Sequence, residues 1–199
     1  MLVVVGGHSR NIGKTSVAAG LIRHLRDRRW TALKITQYGH GVCSRHGEAC
    51  GCETEPDHPF ALSEEYEPSR TDSGRFLAAG AERSFWLRTP AGQLSGAAEQ
   101  VRKILTQHEN VMVESNSLLE LAEPDVFLMV LDFAQADFKE SSARFLGRAD
   151  AIIAIDRGIE EPAWENVPRG LWAGKPQFPV KPPNYVTRPM VEFVRGRGH

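Results

Sequence analysis

The four residues GKTS at positions 13–16 stand between an apolar, β-branched run at positions 2–5 and a segment with helical periodicity. A strand, a loop and a helix in this order form a phosphate-binding loop, in which backbone N–H groups and the helix dipole surround a phosphate. Lys14 would supply a positive charge to the β and γ phosphates, and the Thr15 hydroxyl would bind Mg²⁺. The residues expected to contact the nucleotide are Gly7, Ser9, Arg10, Asn11, Ile12, Gly13, Lys14, Thr15 and Ser16.

The spacing of this loop departs from the commonest pattern by one residue. Counting back from Gly13 places His8 where the first glycine is usual, and Gly7 lies one position earlier. Either the loop is one residue longer, or His8 occupies the first-glycine position without the positive φ that glycine permits. We favour the longer loop, because P-loop enzymes that resemble dethiobiotin synthetase and the cobyric acid synthases carry the same gap. His8 is expected to have a plain role in the loop.

Charged residues follow the apolar runs that we interpret as strands. A magnesium ion beside a P-loop needs a carboxylate from a neighbouring strand. We rank Glu114 first, because the run before it is short and further polar residues follow it, and Asp132 second. Asp156 is expected to cap a turn instead. Lys34, near the end of another strand, is expected to face the γ phosphate or a second substrate.

The alternation of apolar strands and helices predicts an α/β fold with a mostly parallel sheet and helices on both faces, in one domain over residues 1–199. In such a sheet the carboxyl ends of the strands share the ligand-binding edge. Either Thr71 or Asp72 is the predicted N-cap of the second helix. The predicted strands are 2–5, 31–35, 84–87, 110–113, 125–131, 151–155 and one edge strand after 174, and the predicted helices are 14–28, 71–80, 95–107, 139–148 and 188–194.

A long segment from 39 to 70 has little periodicity and contains all three cysteines. One interpretation is an inserted loop ordered by zinc, which prefers thiolate and imidazole ligands. The alternative is a mobile, acidic lid with reduced cysteines, and a redox role for the Cys-x-Cys pair is a third option. The zinc ligands would be Cys43, Cys50, Cys52 and either His40 or His46.

Composition excludes several classes of protein. With 199 residues and a formal net charge of -1, nothing in the chain calls for nucleic acid or a membrane surface as a partner. The apolar start is too short for a signal sequence or a membrane span, so we expect a cytoplasmic protein. In that compartment the cysteines would be free or metal-bound.

The GKTS motif, Lys34 in LKITQYGH, and the run DSGRFLAAGA from Asp72 to Ala81 resemble the molybdopterin-guanine dinucleotide biosynthesis protein B family. The strand VMVESN is similar to that family's strand ending in Val-Glu-Gly, although Ser115 replaces the glycine. The resemblance implies a P-loop protein of the SIMIBI class that binds ATP or GTP with Mg²⁺ and often forms homodimers. The longer loop and the cysteine segment depart from the family pattern, and no motif indicates which base is bound.

Three functions agree with these patterns. The first is a nucleotide-binding protein that hydrolyses NTP or transfers its phosphoryl group, with Lys14, Lys34 and Asp72 at the phosphates and Thr15 and Glu114 at magnesium. The second is a synthetase-like enzyme, similar to dethiobiotin synthetase, that phosphorylates a small carboxylate or carbamate. The third is a regulatory or carrier protein whose nucleotide state moves a metal-bearing loop to dock a protein partner.

Overall fold

The computed structural model describes residues 1–39 and 60–198, and within them the strands form one eight-stranded sheet. Its order is β3-β4-β2-β5-β1-β6-β7-β8, and every neighbouring pair is parallel except β3 with β4. The strands are β1 (Leu2–Gly7), β2 (Thr31–Tyr38), β3 (Ala61–Glu65), β4 (Arg83–Pro90), β5 (Val111–Glu114), β6 (Val126–Asp132), β7 (Ala151–Ile155) and β8 (Gln177–Val180).

Helices cover both faces of the sheet, as the alternating pattern predicts. Side chains of α1, α2 and α5 pack in one buried cluster, and those of α3 and α4 pack in a second cluster on the opposite face. Burying a large side chain such as Phe76 or Phe127 contributes about 1.5–3 kcal/mol. None of the helices in the described ranges has both the length and the apolarity needed to cross a bilayer. The helices are α1 (Lys14–His24), α2 (Asp72–Ala79), α3 (Ala98–Gln107), α4 (Glu140–Leu146) and α5 (Arg188–Arg195).

The first helix is shorter than its periodicity predicts. It ends at His24 and gives way to a 3-10 turn over Arg26–Arg28, after which Arg29 has a φ of 53°. The indole N–H of the buried Trp30 donates to the Leu25 carbonyl oxygen at 2.8 Å, which satisfies an acceptor at the helix end. The N-cap prediction for α2 is confirmed, because the Thr71 hydroxyl oxygen accepts from the Gly74 N–H at 3.0 Å.

The segment from 39 to 70 contains a strand that the sequence did not predict. Strand β3 forms the edge of the sheet and runs antiparallel to β4. Apolar and polar residues alternate only weakly along β3, and two of its five residues are glutamates. Hydrophobic periodicity therefore gives no signal for a strand there. Ion pairing across the edge supplies part of its stability, since the Arg83 Nε lies 2.7 Å from the Glu64 carboxylate.

Strand β1 lies at the centre of the sheet, between β5 and β6. The P-loop that follows it therefore emerges between the carboxyl ends of those two strands. Strand β2 is the next neighbour of β5, and its register places Lys34 beside Glu114. The sheet order thus brings together, at one edge, charged residues that are far apart in the chain.

Candidate functional site

The backbone of the loop from Gly7 to Gly13 enters the left-handed region at two positions. Gly13 caps α1 in the left-handed region with a φ of 92°, and Asn11 has a φ of 56°. A Cβ atom at Gly7 would lie 2.8 Å from the Ile12 Cδ1, because the loop folds back over the end of β1. His8 is absent from the positive-φ residues of the described chain. An ordinary φ at His8 agrees with both interpretations of the loop, so the close contact at Gly7 is the observation that supports the longer one.

The Lys14 side chain is folded inside this loop. Its Nζ donates to the Ser9 carbonyl oxygen at 2.5 Å. Burial lowers the pKa of Lys14 to about 8, although the nearby Glu114 carboxylate acts in the opposite direction. In the part of the chain that the structure describes, no carboxylate contacts this buried ammonium directly, so an anion beside it is favoured. The loop therefore holds a positive charge at the position where the sequence pattern places a phosphate.

Thr15, in the first turn of α1, contacts the carboxylate at the end of β5. Its hydroxyl donates to the Glu114 Oε2 at 2.7 Å. Glu114 is 5% exposed. Hydroxyl and carboxylate oxygens are hard ligands of the kind that Mg²⁺ prefers. These two side chains could hold the ion, either directly or through its water molecules.

Lys34 joins the same group from β2. Its Nζ lies 3.0 Å from the Glu114 Oε1 and 2.5 Å from the Asp72 Oδ2. Burial alone would lower the pKa of Lys34, but the two carboxylates raise it above its ordinary value. Burial likewise acts to raise the pKa of Asp72, yet Lys34 brings it below its usual range. The ammonium therefore remains charged and bridges the two acids.

Arg75 contacts Ser16, the last residue of the GKTS motif. We did not predict Arg75 as a site residue. Its Nη2 donates to the Ser16 Oγ at 2.9 Å, and its Nη1 lies 3.5 Å from the Asp72 Oδ1. Asp72 and Arg75 are three residues apart on α2, so one helix turn presents both to the P-loop. Their place in the DSGRFLAAGA run was the sequence signal for this contact.

Asn116 holds the base of the loop. Its Oδ1 accepts from the Gly7 N–H at 2.9 Å, while its Nδ2 donates to the Gly7 carbonyl oxygen and to the Ser142 Oγ. The Asn116 Oδ1 also occupies the space where a Cβ of Gly6 would lie, at 2.1 Å. Because Gly6 and Gly7 have no side chains, Asn116 can approach the end of β1 and hold the Gly7 backbone from both sides. We call this contact the Asn116 clamp, and sequence spacing does not reveal it.

His8 connects the loop to the segment after β6. The Asp132 backbone N–H donates to the His8 Nε2 at 3.0 Å, so the Nδ1 carries the proton and donates to the Asp137 carbonyl oxygen at 2.9 Å. Burial lowers the pKa of His8, which agrees with a neutral ring. The ring also packs against Phe138 and Trp164, with centroids 5.0 and 4.8 Å away. These contacts agree with the plain role in the loop that we expect for His8.

The other strand-end acids have different partners. Both carboxylate oxygens of the buried Asp132 accept from the Arg157 Nε, at 2.9 and 3.1 Å. Asp156 accepts from the Gly158 N–H at 2.9 Å, which is the turn-capping contact predicted for it. Of the three acids, Glu114 is the one whose carboxylate contacts Thr15.

The zinc prediction cannot be placed in this geometry. His40, Cys43, His46, Cys50 and Cys52 lie outside the described residues. Within residues 1–39 and 60–198 there is no group of three or more His, Cys, Asp or Glu side chains that could hold a metal ion. A magnesium ion at Thr15 and Glu114 would therefore depend on the nucleotide and water for its remaining ligands.

A groove of about 350 Å³ lies next to Ser16. It runs between α1, α2 and the segment 183–186 that leads into α5, and it includes Gly20, Arg75 and Asn184 in its walls. Tyr185 also lines the groove and lies against the loop, since a Cβ at Gly13 would be 2.3 Å from the Tyr185 Cε1. The volume is within the range of small-molecule sites.

A scan against protein-family models and a search of curated proteins gave no match. Among solved structures, the chain is similar to LpxK from Aquifex aeolicus in complex with ATP, with 18% identity and a TM-score of 0.48 over 89% of this chain. The chain spans 53% of that LpxK chain.

Two HypB structures are also similar. HypB from Helicobacter pylori in complex with nickel is 12% identical, with a TM-score of 0.51 over 98% of this chain and 83% of HypB. The hydrogenase maturation factor HypB from Archaeoglobus fulgidus is 12% identical, with a TM-score of 0.54 over 100% of this chain and 91% of HypB. At this identity the likeness shows the fold alone, which is the mostly parallel α/β fold of P-loop NTPases.

Proposed function

We propose that this protein binds a nucleoside triphosphate with Mg²⁺ on the loop 7–16 and hydrolyses it or transfers its terminal phosphoryl group. The observation that carries the proposal is the contact of Thr15 with the buried Glu114 carboxylate, to which Lys34 is also bonded. A hydroxyl from the first turn of the P-loop helix and a carboxylate from the adjacent strand are the protein groups that place magnesium in P-loop chemistry.

The charges of the site suit a magnesium–triphosphate. Three cations, Lys14, Lys34 and Arg75, stand beside two carboxylates, Asp72 and Glu114. Magnesium would take the Thr15 and Glu114 oxygens, and Lys34, still paired with Asp72, would direct its remaining donors to the γ phosphate. Catalysis would consist of positioning and of stabilising the charge that spreads over the transferred phosphoryl group.

The nucleoside would extend from Ser16 into the groove beside Tyr185. Lys14 and Thr15 of the motif would contact the phosphates, and Ser16 is the next residue along the chain. Ser16 therefore lies between the phosphate-binding loop and the groove. The groove offers an aromatic wall and the polar side chains of Arg75 and Asn184. The base is undetermined, and ATP and GTP are both candidates.

The resemblance to the molybdopterin-guanine dinucleotide biosynthesis protein B family supports the same proposal. Its Asp-Ser-x-Arg run supplies Asp72 and Arg75, whose contacts with Lys34 and Ser16 give this motif a place beside the P-loop. A carrier function with a metal-bearing loop gains no support from the described residues, because its ligands lie outside them. We therefore retain phosphoryl chemistry as the proposed function and nucleotide-dependent partner docking as its alternative.

Calorimetry with ATP and GTP in the presence of Mg²⁺ tests the proposal. Wild-type protein is expected to bind at least one of them, and Lys14→Ala is expected to abolish that binding. Lys103→Ala, which removes an exposed lysine on α3, is the matched control and should bind normally. Nucleotide affinity that survives Lys14→Ala would overturn the proposal. Very slow hydrolysis by the protein alone, accelerated by an added partner protein, would favour the docking alternative.

A further inference from the structure

Four side chains, those of Lys34, Thr36, Trp86 and Arg88, form a row on one face of β2 and β4 that leads from Lys34 toward the edge strand. We call this row the polar shelf. The register of β2 with β4 pairs Lys34 with Trp86 and Thr36 with Arg88. Register partners in a parallel pair share a face, and residues two apart along a strand share it too. Ala32 on the same face of β2 packs in the cluster that includes α1 and α2. The four side chains therefore belong to the face on which Thr15 and Asp72 meet Lys34.

The Trp86 side chain organises this shelf. Its indole N–H donates to the Thr36 Oγ1 at 3.0 Å, which fixes the ring against β2. The Arg88 guanidinium carbon lies 4.6 Å from the centroid of the same ring. Strand spacing puts the Cα atoms of Lys34 and Arg88 about 8 Å apart. Arg88 thus extends the row of side chains that begins at Lys34, the residue expected to face the γ phosphate.

Arg88 is a cation that lacks a counterion in the described part of the chain. Its Nε is buried and has no hydrogen-bond partner there. Arg83, on the same strand and 4.7 Å from the centroid of the Phe85 ring, differs sharply, because two of its nitrogens donate to the Glu64 carboxylate at 2.7 and 2.8 Å. A buried donor without a partner costs free energy, and a hydrogen bond to an oxyanion would remove that cost. The Arg88 guanidinium is therefore suited to bind an oxyanion.

We propose that Arg88, held by Trp86 and Thr36, is the binding subsite for an oxyanion of the second substrate, a carboxylate or a phosphate ester. The inference depends on the proposed function, since Lys34 separates the subsite from the magnesium position. A guanidinium presents two parallel donors to a carboxylate or phosphate, whereas the adjacent ammonium of Lys34 acts as a point charge. Arg88 would therefore hold a substrate by its anionic group, next to the γ phosphate that Lys34 would neutralise.

The test uses the full-length protein saturated with the magnesium complex of a non-hydrolysable triphosphate analogue. Inorganic phosphate and succinate are titrated separately, and binding is followed by calorimetry and by tryptophan fluorescence, because the guanidinium lies over Trp86. Wild-type protein is expected to bind at least one probe, and the probe that binds distinguishes a phosphate subsite from a carboxylate subsite. Arg88→Gln is expected to weaken that binding about tenfold or more.

Arg83→Gln is the matched control, because it removes a guanidinium stacked on an aromatic ring of the same strand that already has a carboxylate partner. It should retain the affinity for the probe. Nucleotide affinity unchanged in Arg88→Gln shows that the proposed function and the folded P-loop are intact. If Arg88→Gln does not fold, Arg88→Lys keeps the charge and is expected to lose affinity for the probe but not for the nucleotide. Failure of wild-type protein to bind either probe, or equal binding by the Arg88 variant, overturns the inference.

Discussion

The Thr15 hydroxyl donates a hydrogen bond to Glu114 at 2.7 Å, across 99 positions of the chain. Glu114→Gln keeps the shape of the side chain and its ability to accept from Thr15, but removes the negative charge. We expect the affinity for the magnesium–nucleotide to fall about 10–100-fold. Calorimetry with and without chelator measures this effect, and the wild-type and variant affinities should converge when magnesium is removed.

Glu120→Gln provides the control for that experiment. Glu120 forms an ion pair with Arg144 at 3.4 Å, but both side chains are substantially exposed. Exposed pairs contribute little to stability, so this change should leave magnesium dependence untouched. If Glu114→Gln retained the full effect of magnesium, the ion would have to bind elsewhere.

The depressed pKa of Lys14 predicts proton uptake when nucleotide binds. In the empty loop burial brings this pKa to about 8, and bound phosphates would raise it again. At pH 7 the lysine is already protonated, so binding takes up no proton at this group. At pH 9 it is mostly neutral, so binding takes up about one proton and affinity falls about tenfold per pH unit.

Calorimetry at pH 9 in two buffers of different ionisation enthalpy measures this uptake, and the nucleotide phosphates are already ionised there. Lys14→Arg is the informative variant, because a guanidinium remains protonated throughout this range. Any nucleotide binding that this variant retains should show no proton uptake. Binding by wild-type protein at pH 9 without proton uptake would contradict the pKa that the loop imposes.

Sequence reasoning predicted that Glu114 would lie beside the loop 7–16, because this contact depends on local pattern and on one topological rule. Parallel strands end at a common edge, so an acid after a buried run is expected near the loop. The contacts of Arg75 with Ser16 and of Arg88 with Trp86 depend instead on helix docking and strand register. Single-sequence periodicity contains no information on either.

The edge strand β3 was missed for a related reason. Its polar residues are satisfied by pairing with β4 and by the ion pair of Glu64 with Arg83, which are tertiary interactions. The clamp of Asn116 on Gly7 is similar, since it joins two positions 109 residues apart. Local propensity could indicate that these residues are polar, but the partners become visible only when the sheet order is known.

Gly13 and Gly92 both have positive φ, of 92° and 78°, but differ in their surroundings. Gly92→Ala should cost about 1–2 kcal/mol, because its Cβ would meet no atom of residues 1–39 or 60–198 within 4 Å and only the backbone is strained. Gly13→Ala should cost more and should weaken nucleotide binding, since its Cβ would lie 2.3 Å from the Tyr185 ring.

Urea unfolding of both variants compares the two costs. Adding Tyr185→Ala to Gly13→Ala should return part of the lost stability, because the clash is removed while the strain remains. Equal destabilisation by Gly13→Ala and Gly92→Ala would show that Tyr185 does not pack on the loop in solution.

His8→Phe tests the link between the P-loop and the segment after β6. The substitution keeps an aromatic ring but leaves the Asp132 N–H and the Asp137 carbonyl without their partners. We expect a loss of about 2–5 kcal/mol in the free energy of unfolding, since each buried polar group left unpaired costs about 1–3 kcal/mol. His24→Gln, on the exposed side of α1, should change stability by less than about 0.5 kcal/mol.

The same variant has a pH signature. The folded protein holds the pKa of His8 below its ordinary value of 6.5, so below that pH the unfolded chain binds a proton that the folded protein does not. His8 therefore makes the free energy of unfolding of the wild-type protein decrease as pH falls from 7 toward 5. The Phe variant lacks this contribution. The difference in unfolding free energy between wild type and His8→Phe, measured in urea, should be smaller at pH 5 than at pH 7. A difference that stays constant or widens would mean that His8 is protonated in the folded loop, contrary to its bond with the Asp132 N–H.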